Sequence, residues 1–371
     1  MPRFRRSRCS WGLALSGHRI SLLVLAVLLV SSPSRAVAQV CSDCTIELER
    51  VVSLGGGEDG WVGATYNVVR GTRYYYVAGA TAQADEIHVF DLAGNFVRTV
   101  GRRGQGPGEY GWIRALRIAP GDTLHVFDIR NARHTVLAPD FTVARTRKID
   151  GEVFDGGALW LGGGSFVLNA AMPTANGIGM PLHILDHEGG IARSFGSDGA
   201  LPELHASPTA LRRIMAPAHD GGVWTLHPGE YRIERWNTAG EMVAELRIEA
   251  EWMSREQPRV RVDGARPGPP PPGLFSIRED DDGLLWITGR VPAPNWEQAV
   301  DERRVTDWNG WAHTVIEVID PGTSTRIARR TVPSFIGLFV PDADLLYTYR
   351  EGEDGVPILD FWRVGLSPRR R

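Results

Sequence analysis

The sequence predicts an all-β protein built as a six-bladed β-propeller with four-stranded antiparallel blades. After residue 40, short apolar or alternating runs recur between Gly, Pro, Asp and Asn, and helical patterns are almost missing. An acidic or glycine turn followed by an aromatic or branched strand occurs six times, at 71–77, 122–127, 164–168, 221–226, 282–287 and 344–349. Six units over about 333 residues give roughly 55 residues per unit, which suits four-stranded blades.

The two ends of the sequence together supply the four strands of one blade. The last unit has three strand-like runs, at 335–340, 345–349 and 357–364. A spare run at 45–54 precedes the first complete unit. Because open strand edges invite unwanted pairing, we expect residues 45–54 to form the outer strand of the last blade and to close the ring.

The most informative segment, 91–109, contains a strand end, a tight Ala-Gly-Asn turn, a second strand and a Gly-Pro connection that crosses to the next blade. Weaker copies around residue 128 and at 183–196 indicate a repeat architecture. The chain resembles the secreted bacterial six-bladed propellers related to NHL-repeat proteins, a resemblance that implies the propeller fold and export but no settled activity. The residues that carry it are 89–94, 98–109, 122–128 and 231–236.

The first 38 residues have the pattern of a Sec-type signal peptide. A basic start leads into an apolar run at 21–30 and a small-residue cleavage site at 36–38. Cleavage after Ala38 would leave one propeller domain at 39–371, in the periplasm or outside the cell. Later apolar runs are too short to span a bilayer, so no transmembrane segment is expected.

The charge of the mature chain limits its partners. The signal peptide holds six arginines and no acidic residue, so its removal changes the formal net charge from −3 to −9. This charge argues against nucleic acid and anionic membranes as partners. We expect a monomer that binds a protein, a glycan or a small molecule.

Cys41 and Cys44 are the cysteines of the mature chain. In an oxidising compartment the pair most simply forms a local disulfide. The alternatives are a redox site, which would need a βαβ context, and half of a zinc site, which would need a second ligand pair nearby.

Strand order sorts the loops onto two faces of the propeller. The long connections, at 101–112, 170–181, 196–208, 249–273 and 290–312, all fall on one face. Long loops tend to carry function because the scaffold does not need them, so this face is the expected binding surface.

Tryptophan and arginine dominate recognition surfaces, and tryptophan also stacks on sugar rings. We therefore expect ligand contacts from the residues of these types in three of the loops, together with one glutamate. The alternative is that the tryptophans pack the insertions as a lid, held by Arg–Asp pairs. The candidates are Arg102, Arg103, Glu109, Trp252, Trp296, Arg303, Arg304, Trp308 and Trp311.

The remaining motifs favour structural roles. The glycines of 101–109 precede a strand rather than a helix, so we expect a tight crossing in which Glu109 binds backbone amides, not a phosphate loop. His88 and His125 occupy equivalent strand positions typical of packing residues, and the other histidines, His134 among them, are scattered. The run 280–283 indicates a turn rather than a calcium loop, and no nucleophile motif occurs.

The sequence therefore predicts a recognition module without catalytic activity and without a cofactor. The alternative is a metal-dependent hydrolase or lyase, similar to the calcium-dependent lactonases and esterases, with Asn67, Asn131, Asn169 and Glu109 as possible metal ligands by residue type. A purely structural surface component is a third possibility.

Overall fold

The computed structural model describes residues 44–56, 62, 65, 67–79, 85–162, 164–174, 177–178, 180–186, 188–196, 208–253, 267–341 and 343–368. The expected signal peptide and Cys41 lie outside these residues, so the domain boundary at residue 39 stays a prediction. Cys44 is disulfide-bonded, and Cys41 stays its predicted partner. No helix in the described ranges is long and apolar enough to cross a membrane.

The protein is a six-bladed β-propeller, as predicted: the described strands form six four-stranded antiparallel sheets. The first strand, β1 (Cys44–Gly55), belongs to the last blade. From inner to outer strand, blade 1 is β2 (Asn67–Arg70), β3 (Tyr74–Ala78), β4 (Ile87–Asp91) and β5 (Phe96–Val100). Blade 2 is β6 (Ile113–Ala119), β7 (Thr123–Asp128), β8 (Arg133–Leu137) and β9 (Val143–Lys148).

The other four blades repeat this order. Blade 3 is β10 (Glu152–Gly162), β11 (Ser165–Ala171), β14 (Leu182–Leu185) and β15 (Ile191–Phe195), with a small hairpin, β12 (Pro173–Thr174) and β13 (Gly177–Ile178), inserted after β11. Blade 4 is β16 (Ile214–Pro217), β17 (Val223–Leu226), β18 (Arg232–Trp236) and β19 (Met242–Arg247). Blade 5 is β20 (Gly273–Glu279), β21 (Leu285–Pro292), β22 (Ala312–Asp320) and β23 (Thr325–Val332). Blade 6 is β24 (Gly337–Phe339), β25 (Leu345–Glu351), β26 (Pro357–Pro368) and β1.

Helical structure in the described residues is limited to single turns, in agreement with the all-β pattern. These are 3₁₀ turns at Pro208–Leu211 and Trp296–Ala299 and an α-helical turn at Trp308–Trp311.

Alternation of side chains along each strand builds the core between blades. Successive residues point to opposite faces of a sheet. In β3, Tyr75 and Val77 pack against blade 6, whereas Tyr76 and Ala78 pack against blade 2. The described residues form six apolar clusters, one in each interface between neighbouring blades.

The ring is closed by β1, as the ends of the sequence predict. It pairs antiparallel with β26 from Cys44, opposite Pro368, to Gly55, opposite Ile358, and a bulge interrupts the register between Arg50 and Val52. A bulge adds one residue and reverses the alternation beyond it. Ile46 therefore packs between blades 5 and 6, and Leu54 packs between blades 6 and 1.

One polar contact across this seam is buried. The Ser53 hydroxyl donates to Asp360 Oδ1 at 2.6 Å, and Arg350 Nε donates to Asp360 Oδ2 at 2.6 Å. Asp360 is 3% exposed, so both donors compensate the cost of burying its charge.

Recurrent Asx turns close the short hairpins. Asp91 Oδ1 accepts hydrogen bonds from the amides of Ala93 and Asn95, both at 2.9 Å. Asp186, Asn237 and Asp280 make the equivalent pair of contacts two and four residues onward. The fourth position of each turn is a glycine with positive φ, which a side chain would disfavour. These glycines are Gly94, Gly189, Gly240 and Gly283. The run 280–283 is thus a turn, as predicted.

The long connections of the described strands all leave the same end of the propeller. They are 101–112, 172–181, 196–213, 248–272 and 293–311, each within three residues of the predicted bounds at its N-terminal end. The connections at the opposite end are short turns. We call the first end the long-loop face.

Truncation of one β1 side chain tests the closure. Leu54→Ala should lower the free energy of unfolding by about 2–5 kcal/mol, because Leu54 is fully buried between the first and last blades. Val51→Ala, on the same strand but 44% exposed, should change it by less than ~0.5 kcal/mol. Chemical denaturation measures both values. Equal effects would show that β1 is not a core strand.

Candidate functional site

Residues 293–311 form an insertion between β21 and β22 on the long-loop face. Val300 pairs antiparallel with Val305. Between them, Asp301 Oδ1 accepts hydrogen bonds from the amides of Arg303 and Arg304, each at 2.8 Å. These contacts close a tight turn and leave 80% of the Arg304 side chain exposed.

Aromatic rings follow one another from this insertion into blade 6. The ring centroids of Trp308 and Trp311 are 5.5 Å apart in an edge-to-face arrangement. Trp308 lies 5.3 Å from Phe335, which lies 5.4 Å from Tyr349. Edge-to-face and tilted contacts are the preferred geometries of aromatic pairs. Trp308 remains 45% exposed, so it offers a ring to solvent.

The same series of contacts continues toward the propeller axis. The Arg290 guanidinium lies 5.7 Å from the ring centroid of Trp311 and 4.7 Å from that of Phe275, within cation–π range. Phe275 belongs to β20, the inner strand of blade 5. We define the aromatic row, in order of contact, as Phe275, Arg290, Trp311, Trp308, Phe335 and Tyr349.

Hydrogen bonds hold the aromatic row in place. Asn309 Oδ1 accepts from the Phe335 amide at 3.0 Å, and Asn309 Nδ2 donates to the Tyr349 carbonyl at 3.2 Å. Trp311 Nε1 donates to the Gly268 carbonyl at 2.9 Å. The insertion is therefore held to blade 6 and to the connection that precedes β20, which limits the conformational entropy that the insertion would lose when a ligand binds.

Phe275 also lines a central cavity of about 90 Å³ between the inner strands. The charged residues described around it are three arginines and one aspartate. Asp155 Oδ1 pairs with Arg114 at 2.6 Å. The charged lining residues are Arg117, Asp155, Arg212 and Arg213.

Two of these arginines are buried and donate to backbone carbonyls. Arg117 donates to the carbonyls of Leu116 and Gly156, at 2.5 and 2.6 Å. Arg213 donates to the carbonyls of Ala210 and Arg212, at 2.9 and 3.0 Å. These backbone acceptors hold the two guanidinium groups in place beside the cavity.

The expected contacts in 101–112 lie on the crossing between blades 1 and 2, away from the aromatic row of blades 5 and 6. Arg102 pairs with Glu109 at 2.8 Å, and Arg103 lies 3.8 Å from Asp85. Glu109 Oε2 accepts the Gly106 amide at 2.8 Å, as expected for a crossing. That bond and Arg102 hold the pKa of Glu109 below its usual value. The ligand-binding role of these three residues stays a prediction.

Trp252 has a packing role in the structure. Its ring lies 6.0 Å from that of Tyr231, and its Nε1 donates to Glu317 Oε1 at 3.2 Å. Glu317 is 1% exposed. Its carboxylate also accepts hydrogen bonds from Tyr231 Oη at 2.7 Å and from Arg326 at 2.9 Å. The ligand-binding role of Trp252 stays a prediction, as does the lid alternative. Trp296, in the turn that begins the insertion, is half-buried.

The structure brings together two histidines that looked unrelated. His125 Nδ1 lies 2.9 Å from His134 Nε2, and the His134 ring stacks on Phe127 at 4.3 Å. Arg147 Nε donates to His134 Nδ1 at 2.8 Å. His125 is thus a packing residue, as expected, but His134 is not merely scattered. Antiparallel pairing of β7 with β8 places both rings on one face, a register that the sequence did not reveal.

Among the described residues, no three His, Cys, Asp or Glu side chains lie close enough together to hold a metal ion. The possible calcium ligands serve different contacts. Asn131 Nδ2 donates to the Gly104 carbonyl at 2.9 Å, and Asn169 Oδ1 accepts the Arg213 amide at 2.7 Å. Asn67 Nδ2 donates to the Ile113 carbonyl at 3.4 Å. A metal role for these side chains stays untested.

Sequence reasoning missed four of the six residues of the aromatic row and all three cavity arginines. Their signal is positional. Phe275, Arg290, Phe335 and Arg212 each lie two residues from a strand end on the long-loop face. They can be found only once the strand bounds are known.

Comparisons with known proteins agree with the fold. A family described as 6-bladed beta-propeller matches residues 39–136, and no curated protein matches the chain. A member of the DUF4221 family from Bacteroides vulgatus is 9% identical, with a TM-score of 0.61 over 88% of this chain and 99% of that one. A protein from Bacteroides fragilis whose name describes it as exported is 13% identical, with a TM-score of 0.57 over 86% and 95%. Virginiamycin B lyase from Staphylococcus aureus is 10% identical, with a TM-score of 0.47 over 86% and 99%.

The histidine pair predicts acid sensitivity. Burial, with Arg147 and Arg145 nearby, lowers the pKa of His125 to about 4, and burial likewise lowers the pKa of His134. Below an unfolded-state pKa of about 6.5, the unfolded chain binds protons that the folded protein does not. Stability should therefore fall between pH 6.5 and 4, by about 1.4 kcal/mol per pH unit for each histidine.

Thermal melts from pH 7.5 to 4.5 measure this loss. His125→Phe, which replaces the ring between Phe166 and Trp160, should flatten the pH dependence. His219→Gln, at an exposed position, should retain the wild-type slope. An unchanged slope in His125→Phe would contradict the assignment.

Proposed function

We propose that this protein is an exported binding protein that recognises its ligand on the long-loop face without catalysing a reaction. The aromatic row and the adjoining central cavity form the binding surface. The ligand is expected to have a flat apolar or sugar-ring face.

The observation that carries this proposal is the half-exposed Trp308 ring within the aromatic row. Trp308 packs against Phe335 and Trp311, but almost half of its surface stays in water. That exposed surface does not contribute to the stability of the folded protein, because only buried apolar surface does so. The same ring presents a large, ordered apolar face at low entropic cost to a ligand. Rigid aromatic side chains of this kind dominate binding energy at recognition surfaces.

Export is supported by the N-terminal pattern. The basic start, apolar run and small-residue site of 1–38 match a signal peptide. Disulfide bonding of Cys44 fits an oxidising compartment.

Removal of the exposed ring tests the binding surface. Ligands found by thermal-shift screening of saccharides, aromatic acids and aromatic peptides should bind Trp308→Ala at least tenfold more weakly, the loss typical of a binding hot spot. Isothermal titration calorimetry measures each affinity. Val243→Ala, at a 57% exposed position of outer strand β19, is the control and should bind normally. A ligand that binds both variants equally well would place recognition elsewhere.

Chelation separates this proposal from a metal-dependent hydrolase. A metal bound to the folded protein raises its stability with the logarithm of concentration over Kd. We expect the melting temperature to stay unchanged on chelation and on restoring calcium, zinc or magnesium. A saturable rise of several degrees with one metal would favour the hydrolase and call for a lactone and ester screen.

A further inference from the structure

The central cavity has an excess of positive charge at the inner end of the aromatic row. Three arginines and one aspartate line it among the described residues, and the aspartate already pairs with Arg114, which lies outside the cavity lining. Glu234, in blade 4, interacts with Arg213. Arg117, for its part, donates to two backbone carbonyls.

Arg212 differs from its neighbours. Its side chain is half-buried and lines the cavity. Within the described part of the chain its guanidinium makes no hydrogen bond or ion pair. A partly desolvated guanidinium without an acceptor is costly, and the cost is relieved when an anion binds.

The cavity, at about 90 Å³, has room for a small anionic group. A carboxylate has three heavy atoms and presents two oxygens to the planar fork of an arginine.

We propose that the central cavity binds the carboxylate of an aromatic or apolar ligand through Arg212. The apolar part of the ligand lies along Phe275 and the rest of the aromatic row. This inference rests on the proposed binding function and names the chemical class of its ligand.

Benzoate and benzamide are suitable probes because they share a shape and differ in charge. Calorimetry at constant ionic strength should show that benzoate binds the wild-type protein at least tenfold more tightly than benzamide, as expected for charge-assisted hydrogen bonds. Arg212→Gln should lose this preference, and Arg212→Lys should keep part of it. Arg130→Gln removes an exposed arginine of the same face and should behave as wild type.

Each other outcome has one meaning. If benzoate fails to bind at millimolar concentration, or if Arg212→Gln binds both probes as the wild type does, the carboxylate site is wrong. If Trp308→Ala then still weakens the binding of the ligands found by thermal-shift screening, the proposed binding surface stands without the carboxylate site. If Arg212→Gln removes the preference while Trp308→Ala binds normally, the carboxylate site stands and the outer aromatic row is not part of recognition.

Discussion

Closure of the ring by β1 is the constraint on which the rest of the structure depends. Every blade is a sheet with two apolar faces, and each face is buried only by a neighbouring blade. An open ring would leave two faces and a strand edge in water. Pairing β1 with β26 removes that defect although the two strands are more than 300 residues apart. The entropy cost of closing a loop grows only with the logarithm of its length, so the large separation adds little to the cost of this pairing.

The closed ring explains why the two ends of the propeller differ. The hairpins of one end are short Asx turns, which the scaffold needs because they set the strand register. The crossings of the other end only have to reach the next blade, so they tolerate insertions. Residues 293–311 use this freedom. Anchored by Asn309, they carry Trp308 onto blade 6 and extend an aromatic surface from the axis outward.

Arginine is used in two ways in this molecule. Several of the described arginines away from the axis pair with carboxylates, such as Arg326 with the buried Glu317 and Arg350 with Asp360. Near the axis, Arg117 donates to backbone carbonyls. Arg212 lines the same cavity. The lining of this cavity therefore holds more arginines than carboxylates, although the chain as a whole is acidic.

The sequence by itself determined the blade number, the turns and the closing strand. These follow from local signals: alternation with period two, Asx-x-x-Gly turns such as 91–94, and a strand left over at one end where another is lacking. It also indicated which loops are long. Only the tertiary structure decided which of their residues meet. Trp308 and Phe335 touch, and Trp252 turns inward to Glu317, because of how an insertion packs on a neighbouring blade. That packing joins residues distant in the chain, and no periodicity within one segment encodes it.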